Sequence, residues 1–236
     1  MMEYFGLTIN GKHTSEFGLN LLTMTITQPA PRTNRIQIAG MSGSIDLSEV
    51  FGEVIYEDRT GLQFVFDVNC SNEEWPRIYS EIAMWIHGKK CQVIPDDDIK
   101  HYYICRLSID GKKSNSVIGQ ITITGTAEPF KYDVTASNED WIWDTFDFET
   151  DVIRELADIT IDESNNKVVI VGGGMPSVPE FIVAESNELC VIYKERIYDL
   201  LVGTKRIPQI RIGSEDITLQ FTGSGKLSIA YRGAWL

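Results

Sequence analysis

Between Ser71 and Gly88, apolar residues fall at Trp75, Ile78, Tyr79, Ile82 and Ile86, spaced by three and four, whereas almost every other patterned stretch of the chain alternates with period two. One helix among many short strands can bury its apolar face only by covering a sheet, so the pattern predicts a mainly β protein of face-to-face sheets with a single flanking α-helix over about residues 72–87. Such an architecture lacks the strand-to-helix phosphate turn and the barrel mouth where small-molecule chemistry usually sits. The pattern therefore favours binding or assembly over turnover.

The chain of 236 residues is long enough for two domains, and 43% hydrophobic with 23% charged residues is a globular composition. No apolar run approaches a membrane span, and Met1 to Leu7 holds Glu3 but no basic stretch. Neither a transmembrane helix nor a signal peptide is expected, so synthesis in the cytosol is. Cys70, Cys91, Cys105 and Cys190 show no CxxC spacing and read as free thiols, three of them within apolar strands. The net charge of -13 is shared unevenly: residues 1–133 hold 12 basic against 17 acidic residues, the remainder 9 against 17. That balance repels phosphate backbones and excludes ordinary nucleic-acid binding.

Strand signals run along the whole chain. Tyr4 to Ile9 ends at Asn10-Gly11, the dipeptide of a type I′ hairpin turn. After Phe17 to Thr27, Pro29 and Pro31 remove ladder donors, and the basic Arg32-Thr33-Asn34-Arg35 reads as an exposed arm or loop. Val54 to Tyr56 and Leu62 to Val68 read as strands paired across Asp58 to Gly61, with Leu62, Phe64, Phe66 and Val68 on one face. Ser71 and Glu74 have capping-box spacing, and Gly88 with Lys89-Lys90 supplies the helix stop. Cys91 to Ile94 and Tyr102 to Ile109 form a hairpin through Pro95 to Asp98. The polar stretch Asp133 to Asp140 suggests a boundary between a domain of 1–133 and one of 134–236. The second domain reads as eight short antiparallel strands, Phe181 to Ala184, Leu189 to Tyr193, Ile217 to Phe221 and Leu227 to Tyr231 among them, separated by Gly or Asn/Asp/Ser clusters.

Candidate chemistry reduces to a few constellations. His87, Cys91, His101 and Cys105 repeat HxxxC, but sit on different elements and read as surface histidines and core thiols rather than zinc ligands. Asp96-Asp97-Asp98 reads as a solvated turn, lacking the glycine and distant glutamate of a calcium loop, and Gly172-Gly173-Gly174 reads as a flexible turn because Pro176 and Pro179 forbid a following helix. With three histidines and no GxSxG, HExxH or P-loop, no catalytic, metal or cofactor residues are assigned, and no enzymatic activity is expected. Trp141, Trp143, Phe146 and Phe148 are either core aromatics or a sugar-stacking surface, which makes Trp141 and Trp143 the glycan-contact candidates.

In this order the chain resembles the distal tail proteins (Dit) of siphophages infecting Gram-positive bacteria. The resemblance is carried by Phe5 to Leu19 (FGLTINGKHTSEFGL), Gly40 to Ser48, Ala127 to Tyr132 (AEPFKY), Gly174 to Pro179 (GMPSVP) and Ile229 to Leu236 (IAYRGAWL). It implies an N-terminal β-sandwich with one helix and a C-terminal galectin-like or carbohydrate-binding-module-like β-sandwich. It also implies a ring, commonly hexameric and sometimes stacked, that joins the tail tube to the tail tip or baseplate.

The partners so implied are further copies of the chain, the tail tube protein, a tail-associated hub or lysin protein and receptor-binding or adhesion proteins, with DNA only as passing cargo and no membrane. The implied location is the virion tail tip, after assembly in the host bacterial cytoplasm. Arg32 and Arg35 are the subunit-interface candidates on this view, and a free-standing glycan-binding module is the alternative.

Overall fold

A computed structural model describes residues 5–50, 52–68, 70–71, 73–111, 113–114, 119–139 and 155–236. Two compact units are distinguished, Met1–Lys131 with Leu236 and Tyr132–Trp235.

The first unit is built on one curled antiparallel sheet whose core is covered by the helix. Its strands are β1 (Leu7–Ile9), β2 (Lys12–His13), β3 (Leu19–Thr25), a separate pair β4 (Arg35–Ile36) and β5 (Ile45–Asp46), then β6 (Arg59–Val68). After helix α1 (Trp75–Ile86) come β7 (Lys90–Pro95), β8 (His101–Ile109), β9 (Lys113–Ser114) and β10 (Gly119–Asp133). The sheet order is β2-β1-β7-β8-β10-β6-β3, with β9 on β10. Alternation in β6 places Leu62, Phe64, Phe66 and Val68 in the core, where Phe64 and Phe66 lie opposite Ile123 and Ile121 of β10. Asn10 and Gly11 take φ of 49° and 77° between the paired Ile9 and Lys12, the two-residue turn their sequence predicts.

The helix buries Trp75, Ile82 and Ile86 and packs Ile78, Tyr79, Ala83 and Trp85 against the same core, each fully buried side chain contributing about 1.5–3 kcal/mol. Its regular part begins at Trp75, later than the capping signal implies. The signal operates one turn earlier: Glu74 N donates to Ser71 Oγ (3.3 Å), Ser71 Oγ donates to Glu74 Oε2 (2.9 Å) and Trp75 N donates to Ser71 O (3.1 Å). Pro76 is accommodated there because a first-turn residue needs no amide donor. Cys91 and Cys105 are direct cross-strand neighbours in the core, and burial, then the facing thiol, pushes Cys105 up to about 12, holding it as the inert thiol.

The expected pairing of Val54 to Tyr56 with Leu62 to Val68 is not formed. Tyr56 bridges Pro31, while β6 pairs with β3 and β10.

The second unit contains β11 (Ile159–Ile161), β12 (Lys167–Ile170), β13 (Glu180–Tyr193), β14 (Arg196–Asp199), β15 (Gly203–Arg206), β16 (Ile217–Ala230) and β17 (Ala234–Trp235). The first six form a sheet of order β11-β16-β13-β14, with β12 on β16 and β15 on β13. Two expected pairs of short strands are in fact the single long strands β13 and β16. Their ladder slips between Val183 and Glu185 and again between Asn187 and Cys190, so Gly223 sits opposite the second bulge and Gly225 pairs with Ser186 between the two slips, neither of them in a turn.

Gly172 to Gly174 is likewise no free turn. Gly173 N donates to Gly213 O at 2.8 Å, and a Cβ there would stand 2.4 Å from the Tyr231 hydroxyl. The polar stretch after Asp133 is also tied down: Ser137 is 2% exposed, donates to Ile229 O (2.7 Å) and accepts from Tyr231 N (2.8 Å). Asp133 receives Gly233 N (3.0 Å) and Trp235 Nε1 (2.7 Å).

Candidate functional site: an exposed hairpin arm

The prolines at 29 and 31 end the sheet and open a long hairpin. Its two rails are joined by Glu57 N to Ala30 O (2.9 Å), Arg32 N to Ile55 O (2.7 Å) and Leu47 N to Asn34 O (2.8 Å), and by the β4–β5 pairs Arg35↔Asp46 and Ile36↔Ile45. Gly40 and Gly43, at φ of 83° and 86°, turn its tip. Every residue from Ala30 to Gly43 is exposed. Such a hairpin ordinarily carries polar side chains, yet Ile36, Ile38, Met41, Ile45, Val50, Val54 and Ile55 are all exposed at 40% or more. Exposed aliphatic side chains gathered on one projecting hairpin make it the candidate interaction surface.

Arg32 and Arg35, the interface candidates, lie on this arm and are already engaged within it. Arg32 Nε is 3.5 Å from Glu57 Oε1, and Arg35 Nε is 3.3 Å from Asp46 Oδ2. Both pairs are exposed and contribute little stability, about 0–1 kcal/mol each. Both arginines are thereby engaged within the arm, whose other charged residues, Glu49 and Glu53, are acidic. Asp46 is held below the usual carboxylate range by the side-chain and backbone hydrogen bonds of Ser48 and by Arg35.

The root of the arm rests on Arg59, which sequence reasoning missed. Its side chain is 1% exposed, and burial lowers its pKa. Nε donates to Pro129 O (2.9 Å), and Nη1 donates to Thr27 O (2.9 Å) and Gln28 Oε1 (3.3 Å). The guanidinium lies 5.5 Å from the Tyr103 ring centroid, and Nη2 is buried without a hydrogen-bond partner. Arg59 thereby fastens the point where the chain leaves β3 to the end of β10. Only the arginine's position at the start of an alternating strand hinted at this.

The acidic turn also differs from its solvated reading. Gly6 N donates to Asp96 Oδ2 (2.6 Å), and His13 Nε2 lies 3.1 Å from the same oxygen. Asp98 receives Lys131 Nζ (2.6 Å) and contacts His101 Nδ1 (2.5 Å). Burial pushes the Asp98 carboxyl up, but the hydrogen bonds from Lys131 and His101 outweigh it and hold the group below its usual range. A carboxyl lowered on folding stabilises above its unfolded pKa of about 3.9 and loses that contribution as pH falls through the folded value. The difference in urea midpoint between the wild type and Asp98→Asn is therefore expected to be full at pH 7 and to vanish progressively below about pH 4.

His87 Nδ1 accepts from Ile109 N at 3.1 Å, so the repeated HxxxC residues serve separate partners. Among the described residues no three of His, Cys, Asp and Glu gather as metal ligands. An open depression of about 570 Å3 lies over β6, β8 and β10, lined by Gly61, Gln63, Arg106, Ser108 and Thr124, residues that offer no acid-base pair. Trp141 and Trp143 lie outside the described residues.

No protein-family profile matches the chain, and no curated protein matches it either. Among solved structures, the crystal structure of the SPP1 Dit protein (gp 19.1), described as a paradigm of the hub adsorption apparatus in phages infecting Gram-positive bacteria, matches with a TM-score of 0.61 at 11% identity. The match covers 99% of this chain and 100% of that one, so this protein has the fold of a phage distal tail protein from end to end.

Proposed function

We propose that the protein is a non-catalytic structural component of a phage tail, a distal tail protein whose copies form a ring, hexameric by resemblance, at the hub joining tail tube to tail tip. The observation that carries this reading is the hairpin arm, a run of exposed aliphatic side chains in a chain that shares the Dit fold over its whole length. A closed ring needs a heterologous contact, one patch of each subunit against a different patch of the next. A hairpin rich in exposed aliphatic side chains, its arginines already paired within it, is suited to lie across a neighbouring subunit, with Arg32 and Arg35 at the rim setting register and encounter rate. The net charge of -13 suits a conduit, because an acidic wall does not retain passing DNA.

In this reading the second unit is a galectin-like module carried on the ring, and the tail tube protein, a hub protein and adhesion proteins are the partners. The location is the virion tail tip. Ile38→Asp with Met41→Asp is expected to reduce a multi-subunit mass in light scattering to that of a single chain, with the near-ultraviolet circular dichroism retained. Charge reversal at Arg32 and Arg35 is expected to lower the oligomer mass partially. An unchanged mass in the aspartate variant overturns the role of the arm.

A further inference from the structure

In the second unit, β14 and β15 run in tandem along one side of β13, through Cys190↔Asp199 to Tyr193↔Arg196 and Glu180↔Arg206 to Val183↔Gly203. On their other side no strand pairs with them among the described residues, so the ladder ends there as an open edge. Between them the chain bulges. Leu200 turns inward and is fully buried, while Leu201 and Val202 stand 74% and 67% exposed beside Ile197 at 66%, the most exposed aliphatic side chains described in this unit.

The same stretch concentrates positive charge. Lys194, Arg196, Lys205 and Arg206 are four of the nine basic residues after residue 133, against only Glu195 and Asp199 between them, in a chain of net charge -13. Lys226 and Arg232 of this unit are paired with Glu185 and Glu139. The edge cations form no ion pair among the described residues: Lys205 Nζ donates to the Asp199 carbonyl (2.5 Å), Arg206 Nη2 to the Val178 carbonyl (3.4 Å), and Lys194 Nζ lies 5.2 Å from the Tyr193 ring centroid.

We propose that this edge is a docking strand for an extended, acidic and apolar segment of a partner protein, added antiparallel or parallel to β14 and β15. Three observations meet in that occupant. Unpaired backbone groups at the edge are satisfied by another main chain. Ile197, Leu201 and Val202 are covered by its alternate aliphatic side chains. The unneutralised cations are met by its carboxylates. A polyanionic glycan or phosphate polymer would meet only the charge and leave the aliphatic residues in water. The inference rests on the second unit alone and does not require the ring.

The test uses the full chain and a labelled peptide of about twelve residues that alternates valine and glutamate, a length matched to the roughly 3.3 Å rise per residue along such an edge. Saturable binding by fluorescence anisotropy is expected, at least tenfold weaker for Arg196→Glu with Lys205→Glu and for Leu201→Ser with Val202→Ser. The same peptide N-methylated at alternate residues, which removes main-chain donors and leaves the side chains, is expected not to bind to the wild-type protein. A lysine-for-glutamate peptide is expected not to bind either. Equal binding of the N-methylated peptide overturns strand addition, and displacement by polyglycerol phosphate as effective as by unlabelled peptide shows a simple polyanion site and overturns it as well.

Discussion

Arg59→Ala is expected to lower the unfolding free energy by about 2–4 kcal/mol, read as a shift in urea midpoint at constant slope. The guanidinium supplies donors for the partly buried carbonyls of Thr27 and Pro129, and a hydrogen bond to a charged group is worth about 1.5–3 kcal/mol. Truncation also opens a cavity beside Tyr103 in the core. Against these losses stands the relief of a buried charge that has no carboxylate partner and one idle nitrogen, Nη2. That relief does not win here, because the charge is already hydrogen-bonded by carbonyl oxygens and faces an aromatic ring. Arg59→Met separates the contributions, since it fills the space without donors; it is expected to recover part of the stability but not the protection of the arm root. Amide hydrogen exchange near Thr27 and Gln28 is expected to accelerate in both variants, and wild-type exchange there shows that the clamp is not holding the arm.

Gly223→Ala is expected to be as damaging, about 2–4 kcal/mol, from the addition of one methyl group. Gly223 has φ of 79°, and its Cβ would stand 2.2 Å from Glu188 O and 2.7 Å from Asn187 O, both rigid backbone atoms. The β13 bulge, with Glu188 itself at φ of 54°, presses on β16 at this point, so neither strand yields without breaking the ladder on either side. Gly203, at φ of 118° with open space around it, provides the control. Gly203→Ala carries conformational strain alone and is expected to cost less in the same denaturation experiment. Equal effects at the two positions remove close backbone approach as the cause.

The two glycines also show where reading the chain stops. Thr222-Gly223-Ser224-Gly225 has turn composition, and locally nothing distinguishes a turn from a strand interior that must admit another backbone. The distinction lies in residues 187 and 188, far away in the chain. Val54 to Tyr56 fails in the same way, since its alternation suits any edge and only the fold joins it to Pro31. Asp96 and Asp98 find His13, Gly6, Lys131 and His101 across sequence gaps no periodicity spans.

Period and turn chemistry are properties of neighbouring residues, and they alone determined the helix face at Trp75, Ile82 and Ile86, the buried face of β6, the Asn10-Gly11 turn and the mainly β class. The interruption at Pro29 and Pro31 likewise marked the arm, and the ordered set of short motifs along the chain carried its likeness to distal tail proteins. Only the tertiary structure decided that the arm is apolar on its exposed surface, that its arginines are spent on Glu57 and Asp46, that Arg59 holds its root, and that β14 and β15 form an open basic edge. These depend on which distant groups share water-free or water-exposed space, a relation set by packing between elements and carried by no local window of residues.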